Sequence, residues 1–286
     1  MKKGSKTEVE VPANTIYGAP TAASNTDKGG NPTPSNVKVT VTTAGKSSET
    51  YTVALTVDPL PEWAVGSFYG GNEDGAGSIT IAANGKISGK LNVDATAASL
   101  SAANFDSYDP DSEYLDAKSG AFFATITYKA GNESGTIPLN LIEYSMDGFK
   151  TGLALLSAAY VPFFRADWKD PKWKAAAAPF SKSEPYEYDT KDSASNPGKV
   201  TLKFAASGAV TASGTFVTGH DGKGKEIVYK ASATTTLIPT SDIDDEGKFT
   251  AGVFVNFPPK ADKFAGYSDS VNLQWTGSKF EPREID

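Results

Sequence analysis

A single histidine, His220, and no cysteine occur among the 286 residues, so any chemistry here must be done with carboxylates, amides, hydroxyls and lysines. Thiolate catalysis, disulfides and cysteine-ligated zinc are excluded. His220 lies in Thr218-Gly219-His220-Asp221-Gly222-Lys223-Gly224, the composition of a hairpin turn, and reads as a solvated turn residue rather than the base of a triad. The same glycines lack the spacing and the following helix of a nucleotide-binding loop. Two acidic stretches could hold a hard cation. Asp242-Ile243-Asp244-Asp245-Glu246-Gly247 starts like a calcium loop, but Val253 stands where a bidentate glutamate should close it, so it reads as an acidic turn. Residues 106–116 gather Asp106, Asp109, Asp111, Glu113 and Asp116 with Tyr108 and Tyr114. Calcium is the one cofactor that loop could take, and no other is implied.

Aromatic residues beside acids carry the remaining signal. Tyr108, Asp109, Asp111 and Tyr114 share the loop just named, Trp168 sits in Ala166-Asp167-Trp168-Lys169, and Tyr186 and Tyr188 sit in Glu184-Pro185-Tyr186-Glu187-Tyr188-Asp189. Sugar rings present CH faces that stack on aromatic rings and hydroxyls that bond to carboxylates and amides, so the mixture suits carbohydrate. Trp63 and Trp173 occur at equivalent places in a repeat described below, and Trp275 lies in an alternating run. These three read as structural anchors. Paired carboxylates alone can hydrolyse glycosides, but 34 acidic residues single out no pair. The expectation is a noncatalytic module that binds polysaccharide or cell-surface glycan through the seven loop residues. A structural or adhesive spacer is the first alternative and a carboxylate-dependent glycoside hydrolase the second.

Charge narrows the partners. Asp and Glu outnumber Lys and Arg by 34 to 27, for a net charge of -7, and such a field repels nucleic acid and anionic membrane surfaces. The small basic cluster of Lys169, Lys172 and Lys174 is interrupted by Asp170. No stretch approaches the ~18 apolar residues of a spanning helix, so membrane insertion is not expected. Met1-Lys2-Lys3 is followed by Gly4-Ser5-Lys6-Thr7-Glu8 and not by the apolar core of a signal peptide. The chain is therefore read as a piece of a longer exported, multidomain protein, extracellular or on the cell surface, and monomeric within it.

The elements that must position these residues are strands. Abundant Gly, Pro, Thr and Ser with 39% hydrophobic residues is the composition of short strands and many turns. Residues 1–36 read as a linker. Residues 37–58 read as a hairpin, part of an immunoglobulin-like module, because Val37-Lys38-Val39-Thr40-Val41-Thr42 alternates strictly and Thr50-Tyr51-Thr52-Val53-Ala54-Leu55 follows a turn. Residues 59–286 carry an internal repeat, 59–165 and 166–286. Pro61-Glu62-Trp63 is echoed by Pro171-Lys172-Trp173, and Ala82-Ala83-Asn84-Gly85-Lys86 by Ala205-Ala206-Ser207-Gly208-Ala209. Further on, Gly120-Ala121-Phe122-Phe123 is echoed by Gly247-Lys248-Phe249-Thr250, and Ile137-Pro138-Leu139-Asn140-Leu141 by the run from Ser270 to Trp275. The fold class expected is all-β: a duplicated antiparallel barrel or sandwich of about 10–12 strands behind an N-terminal hairpin. The copies are expected to close on each other and to share a core through the apolar residues between Leu153 and Phe164. A short helix is expected near Lys172 to Ala178, after Pro171.

Leu60-Pro61-Glu62-Trp63-Ala64-Val65-Gly66-Ser67-Phe68, with Gly85-Lys86-Ile87-Ser88-Gly89-Lys90-Leu91 behind it, resembles a repeat-barrel module found near the C-termini of large surface proteins of anaerobic bacteria. The run from Val200 to Thr211 looks like the second half of that module. The resemblance implies export and upstream immunoglobulin-like domains, and it brings no catalytic residues with it.

Overall fold

The computed structural model describes residues 33–42, 48–55, 59–72, 75–93, 96–112, 120–146, 149–157 and 161–283, divided into one unit up to Pro59 and a second from Leu60. In the first, β1 (Ser35–Thr42) and β2 (Ser48–Leu55) form an antiparallel ladder, with Ser35 opposite Leu55 and Thr42 opposite Ser48. This is the hairpin that the period-two alternation predicts. Tyr51 and Val53 on β2 are exposed.

The second unit is two successive β-barrels. The first contains β3 (Gly66–Asn72), β4 (Gly75–Ile81), β5 (Ile87–Val93), β6 (Thr96–Ala102), β7 (Ser107–Asp109), β8 (Ala121–Ala130), β9 (Glu133–Met146), β10 (Phe149–Leu156) and β11 (Val161–Arg165). Pairing of β6 with β8 and of β11 with β3 closes eight of these antiparallel strands into a ring, with β7 as a short extra strand on β8. Closure removes the open edges that would otherwise template aggregation. The second contains β12 (Tyr186–Lys191), β13 (Pro197–Phe204), β14 (Ala209–His220), β15 (Glu226–Pro239), β16 (Phe249–Phe257), β17 (Tyr267–Trp275) and β18 (Phe280–Pro282), an antiparallel meander that curls into a nearly closed barrel. Helix α1 (Pro171–Ala177) leads into it, with Asp170 accepting the Lys172 N–H as N-cap and Pro171 in the first turn.

The sequence echoes fall on matching elements. In both the β4–β5 and β13–β14 turns a glycine takes positive φ, 80° at Gly85 and 74° at Gly208, where a side chain would be strained. The backbone bonds match as well: Ala82 N–H to Lys86 O and Gly85 N–H to Ala82 O in one, Ala205 N–H to Ala209 O and Gly208 N–H to Ala205 O in the other. The duplication therefore holds, but two expectations about its assembly change. Each copy closes on itself rather than on the other, and the described residues of this unit form sixteen strands, not ten to twelve. The apolar stretch from Leu153 to Phe164 supplies the reason. It forms β10 and β11, whose Leu153, Leu155, Leu156, Val161 and Phe163 are buried, and this added pair completes the first ring.

Each barrel has its own core. That of the first is mainly aliphatic, built on Ile79, Ile81, Ile87, Ile126, Leu139 and Leu141 around Phe68 and Phe163. That of the second is aromatic, with Trp168, Phe180, Phe216, Phe249, Trp275 and Phe280. Strict inward alternation of Phe249, Ala251, Val253, Val255 and Phe257 on β16 shows how period-two patterning writes a barrel wall.

Side chains seal the seam where the second barrel lacks a ladder, between β12 and β17. Tyr267 Oη donates to Asp269 Oδ2 at 2.9 Å, leaving the Tyr188 hydroxyl to donate to Tyr267 Oη, also at 2.9 Å. The Ser193 N–H and hydroxyl both donate to the Gly266 carbonyl. Burial first, then the Tyr188 hydroxyl's place in this chain, holds Tyr188 well above the usual tyrosine range; burial likewise pushes Tyr267 up to about 12. The folded state thus prefers both phenols neutral. Their contribution to stability is fully present below the unfolded tyrosine pKa of about 10 and is lost as pH rises toward about 12. We expect the melting temperature to fall above pH ~10, and two phenols to ionise only as the fold opens when phenolate absorbance is followed. Tyr188→Phe should cost about 1 kcal/mol at neutral pH and blunt the alkaline loss; an unchanged alkaline profile would contradict this account of the seam.

Candidate functional site

The seven loop residues singled out by sequence do not gather in one place. Tyr108, Asp109 and Asp111 lie on and just after β7 of the first barrel and are exposed, with the Tyr108 ring 4.5 Å from Phe122 and Asp109 Oδ1 accepting the Asp111 N–H. Tyr114 lies outside the described residues. Trp168, expected among ligand contacts, is instead a core residue: it is 7% exposed, and its indole N–H donates to the Leu237 carbonyl at 2.8 Å. Its segment turns inward because Ala166 and Trp168 must cover the start of the second barrel's core. Tyr186 and Tyr188 stand 5.8 Å apart on β12, and Tyr188 spends its hydroxyl on the seam.

The acidic turns are structural. Asp244 Oδ1 accepts the N–H groups of Glu246 and Lys248. Asp221 Oδ1 does the same for Lys223 and Lys225, and the buried Asp192 for Ala194 and Asn196. Each carboxylate satisfies turn amides that strands leave unpaired. Asp242 bonds Lys172 Nζ at 2.5 Å, and this hydrogen bond holds its carboxyl below the usual range. No group of three or more metal-ligating side chains is found among the described residues. His220 is exposed at the end of β14.

What sequence reading missed is a crevice of about 530 Å³ between the outer faces of the two barrels. On one side β3, β4 and β5 present Tyr69, Ser78, Lys90 and Asn92; on the other β15 and β16 present Thr234, Thr236, Phe254 and Asn256. Alternation decides this. Phe68, Ile79 and Leu91 point into the first barrel, so their neighbours Tyr69, Ser78, Lys90 and Asn92 point out. On β16 the inward register leaves Phe254 and Asn256 outside. Tyr69 also reaches the core cluster of the second barrel and packs against it, pinning one end of the crevice. Arg165 fixes the crossover from one barrel to the next, its Nε donating to the Val65 carbonyl at 2.7 Å and its Nη2 to Asp167 at 3.2 Å. The signal was present in the sequence as an aromatic, Phe254, in the polar register of an otherwise strict alternation.

Among the described residues, the crevice combines hydroxyls and amides with two aromatic rings, further apolar surface and one cation, Lys90, and they place no carboxylate in its lining. These groups can donate and accept hydrogen bonds and offer ring faces to a ligand. The described residues define a double-barrel β-protein with a groove of mixed polar and apolar lining between its barrels. Comparisons with protein-family models, with curated proteins and with solved structures find no match for the chain.

Proposed function

We propose that this chain is a noncatalytic binding module of an exported bacterial protein and that it holds polysaccharide or cell-surface glycan in the crevice between its barrels. The supporting observation is the lining itself: Asn92, Asn256, Ser78, Thr234 and Thr236 beside Tyr69 and Phe254. A pyranose ring needs this combination, apolar faces for its CH groups and neutral donors and acceptors for its hydroxyls. In this reading the N-terminal hairpin is the end of an immunoglobulin-like spacer, and the barrels are carried outside the cell by the longer protein. Exposed Tyr108, its ring tilted against Phe122, offers a second contact point on the first barrel.

A structural or adhesive spacer is the second reading, favoured by the commitment of Trp168 and Tyr188 to packing and seam bonds. Retention on insoluble cellulose, xylan, chitin and mannan separates the two. We expect retention on at least one of them, weakened about tenfold or more by Phe254→Ala and by Asn256→Ala, since each removes a stacking face or a hydrogen-bonding amide. Tyr108→Ala should leave crevice binding intact. No retention on any of the four would favour the spacer, and loss with Tyr108→Ala alone would move the site to β7.

A further inference from the structure

The ladder between β15 and β16 is short: it joins Leu237 to Val253, Ile238 to Gly252 and Pro239 to Ala251. Among the described residues, β15 is paired with β14 alone from Glu226 to Thr236. Its other side borders the crevice near Ala233 to Thr236. Toward its start it borders a separate groove of about 610 Å³, which lies against Asp262, Lys263, Phe264 and Ala265. Ile227 and Val228 line that groove and are 49% and 44% exposed, an unusual place for two β-branched side chains.

We infer that this edge is a pairing surface for the same edge of a second copy of the chain, joined antiparallel about a two-fold axis through Val228. Backbone direction supports the register. The Leu237 N–H donates toward β14, to the Gly208 carbonyl, and the Ile227 carbonyl accepts from the Thr218 hydroxyl on β14. Odd-numbered residues of β15 therefore turn their backbone groups to β14, and the even-numbered Glu226, Val228 and Lys230 turn theirs to the open side. An antiparallel partner must set even residues opposite even residues to form hydrogen-bonded pairs. With Val228 opposite Val228, Glu226 of each copy faces Lys230 of the other on the outer face. The result is an apolar centre flanked by two opposite-charge pairs. On the inner face Ile227 comes opposite Tyr229. Of the even-with-even registers, this one sets Glu226 against Lys230, and the interface is isologous, as a two-fold requires.

The test is sedimentation velocity of the full chain over a concentration series. A reversible monomer–dimer equilibrium is expected. Val228→Pro should abolish it without altering the circular dichroism spectrum, because the N–H that proline removes points to the open side and not into the β14 ladder. Glu226→Lys and Lys230→Glu should each raise the dissociation constant about tenfold by setting like charges opposite one another. The double variant, which restores opposite charges, should return to within about threefold of the starting value. A chain that stays monomeric at every concentration would overturn the inference and make Lys230 a guard against edge pairing. A dimer indifferent to Val228→Pro, or single reversals that the double variant does not rescue, would overturn it equally. If Val228→Pro fails to fold, the charge series decides alone.

Discussion

Trp168→Ala should lower the stability of the protein by about 3–5 kcal/mol, a large part of the 5–15 kcal/mol typical of a folded domain. The indole is the hub of the second barrel's aromatic core, its ring 5.5 Å from Trp173, 5.7 Å from Phe180 and 6.2 Å from Phe249. Gly208 packs directly on its face, so closely that a Cβ there would lie 2.3 Å from the ring. Truncation opens a cavity among rigid neighbours that cannot collapse into it. It also strips the Leu237 carbonyl of its indole donor, leaving a polar group inside without a partner. Trp168→Phe should recover most of the packing and none of the hydrogen bond, for a loss of about 1–3 kcal/mol. Urea unfolding monitored by near-ultraviolet circular dichroism reads both. A loss below about 1 kcal/mol for the alanine variant would mean that Trp168 is peripheral, and would return it to the candidates for ligand contact.

Gly152→Val should disable the first barrel. Gly152 lies on β10 against the 3-10 turn Glu62–Ala64. A Cβ there would stand 2.1 Å from the Trp63 carbonyl oxygen and 2.8 Å from the Phe68 ring. The oxygen belongs to backbone and cannot swing aside as a flexible side chain would, so the turn that carries Trp63 must move off the barrel. We expect at least about 3 kcal/mol of destabilisation and loss of most soluble protein on expression. Gly131→Ala is the control. That glycine, unlike Gly152, has positive φ, 59°, and a Cβ on it would meet nothing within 4 Å, so it should cost only the conformational strain of about 1–2 kcal/mol. Equal losses for the two would show that crowding at Gly152 is not the cause.

Much of this fold can be read from the sequence because barrel walls are written in period two. The alternation of Phe249 to Phe257 and the paired turns at Gly85 and Gly208 locate strands and their repeats without any structure. How the copies assemble is less legible. Whether the apolar run from Leu153 to Phe164 joins two halves or completes one depends on which strand it meets, and β11 meets β3 through a pairing of Phe164 with Tyr69 that no local pattern announces. The crevice was hidden for a related reason: Asn92 and Asn256 become neighbours only when two barrels are laid side by side. Trp168 misled because Ala166-Asp167-Trp168-Lys169 has the composition of a surface loop. Its burial follows from the distant Leu237 carbonyl and the flat face of Gly208, both supplied by segments far along the chain. The acidic stretch from Asp242 to Gly247 was correctly read as a turn, since the Asp244 carboxylate two residues before an unpaired amide is a local matter.

Self-contained closure of each barrel also sets an order of events during biogenesis. Every partner strand of the first ring precedes Arg165, so a chain emerging amino end first holds a complete set of pairings before α1 appears. It can fold that ring while the aromatic half is still being synthesised, and domains that fold as units in this way limit the exposure of unpaired strands. A circle closed by the two halves together would have had to wait for the last strand. The seam of the second ring is the last to be sealed, since Tyr267 and Asp269 arrive near the end of the chain, and Tyr188 waits for them.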